Sequence, residues 1–177
     1  LFILNIERPS NLFYEGDPSM AWLSNSLAGK YVLTLLLAMV PVAELRAAIP
    51  FGVAQGLPVH HAVLLSIIGN LIPVPFIILF IRRIFAFLRQ KSRHLNTLVT
   101  RLEARAHLKS ATVNKYGFIG LCILVAIPLP GTGAWTGALV AALMDIRLKR
   151  AMPAVILGVC IASLIVATVT YGVASVF

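Results

Sequence analysis

Two short stretches of this sequence hold residues that can do chemistry. Glu44 and Arg46, in Pro41-Val42-Ala43-Glu44-Leu45-Arg46-Ala47-Ala48-Ile49-Pro50, are the only charges between Lys30 and Arg82. Ionisable groups embedded in apolar sequence are costly and usually face a cavity or one another. Arg46, with Pro50 nearby, can hold an anionic headgroup through its planar fork. Glu44 is then the carrier of an exchangeable proton, because taking a carboxylate out of water favours its neutral form. The competing reading puts both side chains at the interface, snorkelling to water around Pro41. Residues two apart on a helix point to different sides, so the spacing argues against a local pair between them. The second stretch is Pro128-Leu129-Pro130-Gly131-Thr132-Gly133-Ala134-Trp135-Thr136-Gly137. Pro130 stops an incoming helix and Thr132 is a candidate N-cap for an outgoing one. A helix N-terminus within the membrane offers free N–H groups and a positive dipole end, which suits a phosphate or carboxylate. Alternatively, Gly133, Gly137 and Ala138 are small so that helices pack closely. Trp135 and Thr136 either line the site with Gly131 and Gly133 or serve as packing.

The remaining polar residues are supporting ones. Asn70 is expected to hydrogen-bond between helices or to a neighbouring turn, and Asp145 to pair with Arg147 at the cytoplasmic rim. His60, His61, His94 and His107 have no ligand partner at metal spacing, so no metal site is expected. Cys122 and Cys160 lie in apolar runs and read as packing residues. No nucleophile–base pairing, phosphate-binding loop or carboxylate pair is present in the motifs, so neither an enzyme nor a cofactor is expected.

The elements that position these residues follow from composition and charge. Of 177 residues, 59% are hydrophobic and 12% charged, with a mean hydropathy of +0.93. A soluble domain of this size needs more charge than that, so the chain is an integral membrane protein. Residues 1–26 form a polar tail. Uncharged stretches at 31–43 and 47–59 are too short to cross and are punctuated by Pro and Gly, which predicts a hairpin over about 28–58. A transmembrane helix follows over about 60–84, with Asn70, Pro73 and Pro75 as kink points. Residues 82–115 carry nine basic side chains against Glu103 alone, and Leu95, Leu98, Val99, Leu102 and Ala106 recur at helical spacing. An amphipathic helix on the headgroups, over about 89–114, is the expectation. Residues 116–144 lack charge but are cut at their centre by Pro128–Gly133, and 151–175 is a clear spanning run.

Charge placement decides the topology. If 116–144 spans, the basic loop before it and Arg147, Lys149 and Arg150 after it lie on opposite sides. If it is a re-entrant hairpin, twelve of the fifteen basic residues become cytoplasmic, as the positive-inside rule prefers. The predicted fold is therefore an all-α polytopic membrane protein built as an inverted repeat: hairpin plus transmembrane helix (27–88), basic interfacial segment (89–114), then hairpin (about 116–146) plus transmembrane helix (115–177 overall), with both termini outside. Opposed broken helices meeting near the midplane are a transporter arrangement.

At Glu44–Pro50 and Pro128–Gly137 the chain resembles the small multidrug export protein family of prokaryotic membranes, over roughly residues 28–175. That family is similar to the DedA and VTT-domain superfamily, whose members have paired re-entrant hairpins and include proteins linked to undecaprenyl-phosphate recycling and lipid scrambling. The resemblance implies a fold, a transport role and an inner-membrane location. DedA-type proteins carry further acidic and arginine residues in their hairpins, whereas here the second hairpin has no charge until Asp145.

The function expected is secondary, proton-coupled transport of an anionic or amphipathic small molecule through a midplane site. A flippase or scramblase for a phosphate-headgroup lipid is the alternative, and a non-transporting membrane scaffold a second one. Expected partners are anionic lipid at 82–115, the small-molecule or lipid-phosphate substrate, and further copies of the chain in a homo-oligomer. Nucleic acid is not expected, since the basic residues flank apolar runs.

Overall fold

Seven helices succeed one another in the computed structural model, which describes residues 26–174 apart from Ser92 and Pro130. The polar tail expected over 1–26 lies outside the described residues save for Ser26, and so does Pro130. Ser26 caps α1 (Leu27–Met39), its Oγ accepting the Gly29 N–H at 3.0 Å. A turn through Pro41 leads into α2 (Glu44–Ala54), whose first residue sits at φ 46°. Gly56, at φ 83°, and Pro58 turn the chain into α3 (Val59–Leu71). Only Ile72 separates α3 from α4 (Pro73–Lys91), because Pro73 has no N–H to continue the ladder.

α5 (Arg93–Ala126) is two helices joined at Gly117, where φ 56° and ψ −123° are open to glycine alone. The first carries the basic residues and the second, Lys115–Ala126, is apolar. A turn over 127–133 precedes α6 (Ala134–Leu143), and α7 (Leu148–Ala174) closes the described chain.

Lengths sort these helices. Val59–Lys91 and Leu148–Gly172 are long and apolar enough to cross a membrane. At 1.5 Å per residue, the uncharged part of the first covers about 34 Å, enough for a hydrocarbon core of about 30 Å. α1, α2, the apolar end of α5 and α6 have 10 to 13 residues each, or at most about 20 Å. The break expected near Pro128–Gly133 and the kink expected near Pro73 are both present.

Short helices pack in pairs against long ones. α1 and α2 lie on each other and on α3, while the α5 end and α6 lie on each other and on α7. α2 also reaches α7, and α6 reaches α4, so the two halves interlock. Small residues permit this closeness. A Cβ on Gly158 would come within 2.6 Å of Val125 Cβ and 2.8 Å of the Cys122 carbonyl, and one on Gly69 would overlap the Leu35 carbonyl.

The basic helix buries Val99, Ala106 and Val113 and packs on α4. Arg89 pairs with Glu103 across that contact. Leu98 and Leu108 remain exposed, at 51% and 81%.

Candidate functional site

The turn that opens α2 and the turn that opens α6 meet, and Glu44 is the joint. A regular helix would aim its side chain elsewhere. At φ 46°, a conformation that costs a non-glycine residue about 1 kcal/mol or more, Glu44 turns toward the second half of the molecule and is 4% exposed. Its Oε1 accepts the Trp135 N–H at 3.2 Å. Trp135 is the second residue of α6, so Glu44 caps a helix 91 residues away in sequence. Its negative charge lies at the positive end of the α6 dipole.

Gly133 makes the approach possible. It is the N-cap of α6 at φ 111°, and a Cβ there would overlap the Glu44 carboxylate. Thr132, the expected N-cap, has another duty. Its Oγ1 lies 2.5 Å from the Ile127 carbonyl oxygen and accepts the Leu129 N–H at 3.1 Å, which closes the 127–132 turn. The N-cap residue itself makes no side-chain bond.

Arg46 completes the joint. Its Nη2 donates to the Thr132 carbonyl at 2.8 Å and lies 3.2 Å from Thr132 Oγ1. The same nitrogen is 4.0 Å from Glu44 Oε2. Glu44 and Arg46 therefore do form a local pair, contrary to the helical spacing argument, because Glu44 is not in the right-handed region. On the far side, Trp135 Nε1 donates to the Met39 carbonyl at 3.2 Å, which ties α6 to the end of α1. The Thr136 hydroxyl bonds to the Gly131 carbonyl at 3.0 Å and holds the second turn's shape.

The residues expected to hold an anionic ligand are thus joined first to each other. The α6 N-terminus meets the protein's own carboxylate, and one nitrogen of Arg46 is directed at Thr132. Pro50 is half-buried within α2, one turn beyond Arg46. Asp145, exposed and at φ 56°, stands at the opposite end of α6. It pairs with both terminal nitrogens of Arg82 rather than with Arg147, and Arg82 also reaches the Leu143 carbonyl at 3.1 Å. This pair, with side chains 48% and 76% exposed, contributes at most about 1 kcal/mol. It staples α4 to the α6–α7 turn, away from the joint.

Two cavities border the joint. One of about 10 Å³ is enclosed by Glu44, Arg46, Asn70, Gly133 and Val159 among others. The other, about 650 Å³, lies between the two turns and the α4–α5 contact. Pro41 and Val42 form one wall and Gly131, Trp135 and Thr136 another. α4 lines it with Ile77, Ile81 and Phe85, and the basic helix supplies Arg105, the sole charged group among the described residues of the lining. This volume is in the range of sites that hold a small organic molecule. Nothing in the sequence singled out Arg105, one of nine cations in its segment.

A charged joint between two short-helix pairs in a chain with two apolar spans agrees with a family model that matches this chain. That model, described as "Putative small multi-drug export protein", covers residues 44–165, from Glu44 itself into α7. The chain belongs to this family. The match takes in Glu44, Arg46 and the second turn, the α4, α5 and α6 walls of the larger cavity, and most of α7. Comparison with curated proteins and with solved structures gives no match. Membership and the two apolar spans make this a membrane protein.

Proposed function

We propose that the protein is a proton-coupled secondary transporter that exports an anionic or amphipathic small molecule through the 650 Å³ cavity. The observation that carries this reading is the shared wall. Glu44 holds the N-terminus of α6, and Trp135, whose N–H it accepts, lines the cavity. Protonation of Glu44 removes the charge that faces both the α6 dipole and Arg46, and so loosens the turn that bounds the substrate space. A proton and a substrate then bias the same element, which is the requirement for coupling. The family description as an export protein supports the direction of the reading.

In this reading α1–α2 and the α5 end with α6 are re-entrant hairpins inserted from opposite faces, the basic helix is cytoplasmic and both termini are outside. Charge parity and the short helix lengths support it. The test is single-cysteine labelling in spheroplasts: Arg101→Cys and Asp145→Cys react with an impermeant thiol reagent from the same side. Labelling from opposite sides overturns the hairpin.

The apolar walls with the Arg105 guanidinium also favour a second reading, passage of a phosphate-headgroup lipid with Arg105 meeting the headgroup. Proteoliposome assays separate the two. The transporter reading expects substrate uptake that acidifies or alkalinises the lumen and collapses with an uncoupler. The lipid reading expects headgroup translocation that ignores the proton gradient. In either, Arg105→Gln weakens anionic over zwitterionic ligands by about tenfold, the worth of one charge-assisted hydrogen bond. Equal affinity for both ligand classes in the unaltered protein removes Arg105 from recognition.

A further inference from the structure

The seam along the buried face of α3 holds polar groups that the joint does not use. Asn70 is 0% exposed, and neither its Oδ1 nor its Nδ2 has a hydrogen-bond partner. Ser66, one turn earlier on the same face of α3, is likewise 0% exposed with an unpartnered Oγ. A buried amide left unpaired at both ends is rare, because each lost bond costs about 1–3 kcal/mol. Asn70 faces the 10 Å³ cavity, and Glu44 forms another of its walls. That volume is about the space one water molecule needs, and the amide, carboxylate and Arg46 provide the two to four polar partners such a water requires.

We infer that the cavity is a binding site for a single water molecule, bridging Asn70 to Glu44 and serving as the step through which the Glu44 proton leaves or arrives along α3. The inference rests on the proton role proposed above. The next polar groups lead one way. Ser66 follows Asn70, and Thr34, also 0% exposed, lies beside Ala62 a further turn along. A Cβ added to Gly52 would meet both, 2.9 Å from Ala62 Cβ and 3.1 Å from Thr34 Cγ2. Thr34 Oγ1 bonds to the Lys30 carbonyl at 2.8 Å, and Tyr31 and His61, 2.7 Å apart, stand at that end of the seam. In the topology proposed above this is the outer face.

A monovalent metal ion is the other occupant that oxygen donors suggest. The charges oppose it: Arg46 lies 4.0 Å from the carboxylate and the α6 N-terminus points at it, so an added cation meets two positive partners in a low-dielectric site. A neutral water meets no such penalty.

Infrared difference spectroscopy on the reconstituted full chain tests this apart from transport. The Glu44 carboxyl band is identified as the one that Glu44→Gln removes. Asn70→Leu, which fills the cavity, moves that band to higher frequency, as for a carboxyl group that has lost a hydrogen bond, and slows its exchange in D2O about tenfold. Asn70→Ser, which keeps a hydroxyl and leaves room, restores both. Substrate affinity stays within about twofold in each variant, while coupled proton flux in Asn70→Leu falls about tenfold, the worth of one buried hydrogen bond. An unchanged band and exchange rate in Asn70→Leu overturn the water site. A band that responds to replacing Na+ by choline also overturns it, in favour of a cation. If the band behaves as stated but Glu44→Gln still moves protons with substrate, the water stands and the coupling role of Glu44 falls.

Discussion

Glu44→Gln leaves proteoliposomes with no substrate-dependent proton movement while the protein remains folded and binds substrate. The change is isosteric. The amide oxygen of Gln still accepts the Trp135 N–H, so the protein folds, and the uncharged side chain holds the turn at Gly131–Gly133 in the arrangement of the protonated acid. What disappears is the titratable charge, and with it the alternation between a carboxylate that faces Arg46 and the α6 dipole and a neutral acid that does not. Flux under a proton gradient, read with a lumenal pH dye, falls to the level of protein-free vesicles, whereas equilibrium exchange of substrate persists. Coupled flux in the Gln variant within about threefold of the unaltered protein contradicts the proton role. Arg46 offers an internal control: removing it leaves Glu44 without its charged neighbour and the Thr132 carbonyl without its donor, so it damages the fold as well as the flux.

Gly133→Ala is expected to be the most destabilising single-methyl addition among the described glycines around the joint. Two independent penalties coincide there. φ 111° is a conformation that any side chain strains, at a cost of about 1–3 kcal/mol, and the new methyl group falls on the Glu44 carboxylate. Relief requires Glu44 to leave the α6 N-terminus, which exposes a helix end and unpairs a buried charge. The sum is on the order of 3–5 kcal/mol, read as a large drop in the thermal midpoint in detergent. Gly117→Ala is the comparison. It has the same kind of backbone demand at φ 56° but nothing within 4 Å of the added carbon, so it shows the backbone penalty alone. Similar losses in the two variants mean that Glu44 does not occupy the space behind Gly133.

The broken element was legible at once. Pro128, Gly131 and Gly133 interrupt an uncharged run, and the run breaks there because proline lacks a donor and glycine reaches backbone angles other residues avoid. Glu44 and Arg46 were also legible, as isolated charges in apolar sequence. Their partners were not. Thr132 has the right type and position for an N-cap, yet the cap came from 91 residues away. Local pattern cannot register a competitor brought in by folding. Asp145 illustrates the same limit, since Arg147 is near in sequence but Arg82 is near in space.

The sequence alone therefore determined the membrane class and the helical fold, and it singled out Glu44 and Arg46 as isolated charges in apolar sequence. Each follows from composition, periodicity or breaker residues, which act within a few positions of the chain. The tertiary structure decided that Glu44 and Arg46 close on the second turn instead of standing open, that Arg105 faces the large cavity, and that Asn70 is buried without a partner. These depend on which helix faces which, and on a left-handed residue at the head of α2. They follow from contacts between distant segments, whose energies no short stretch of sequence contains.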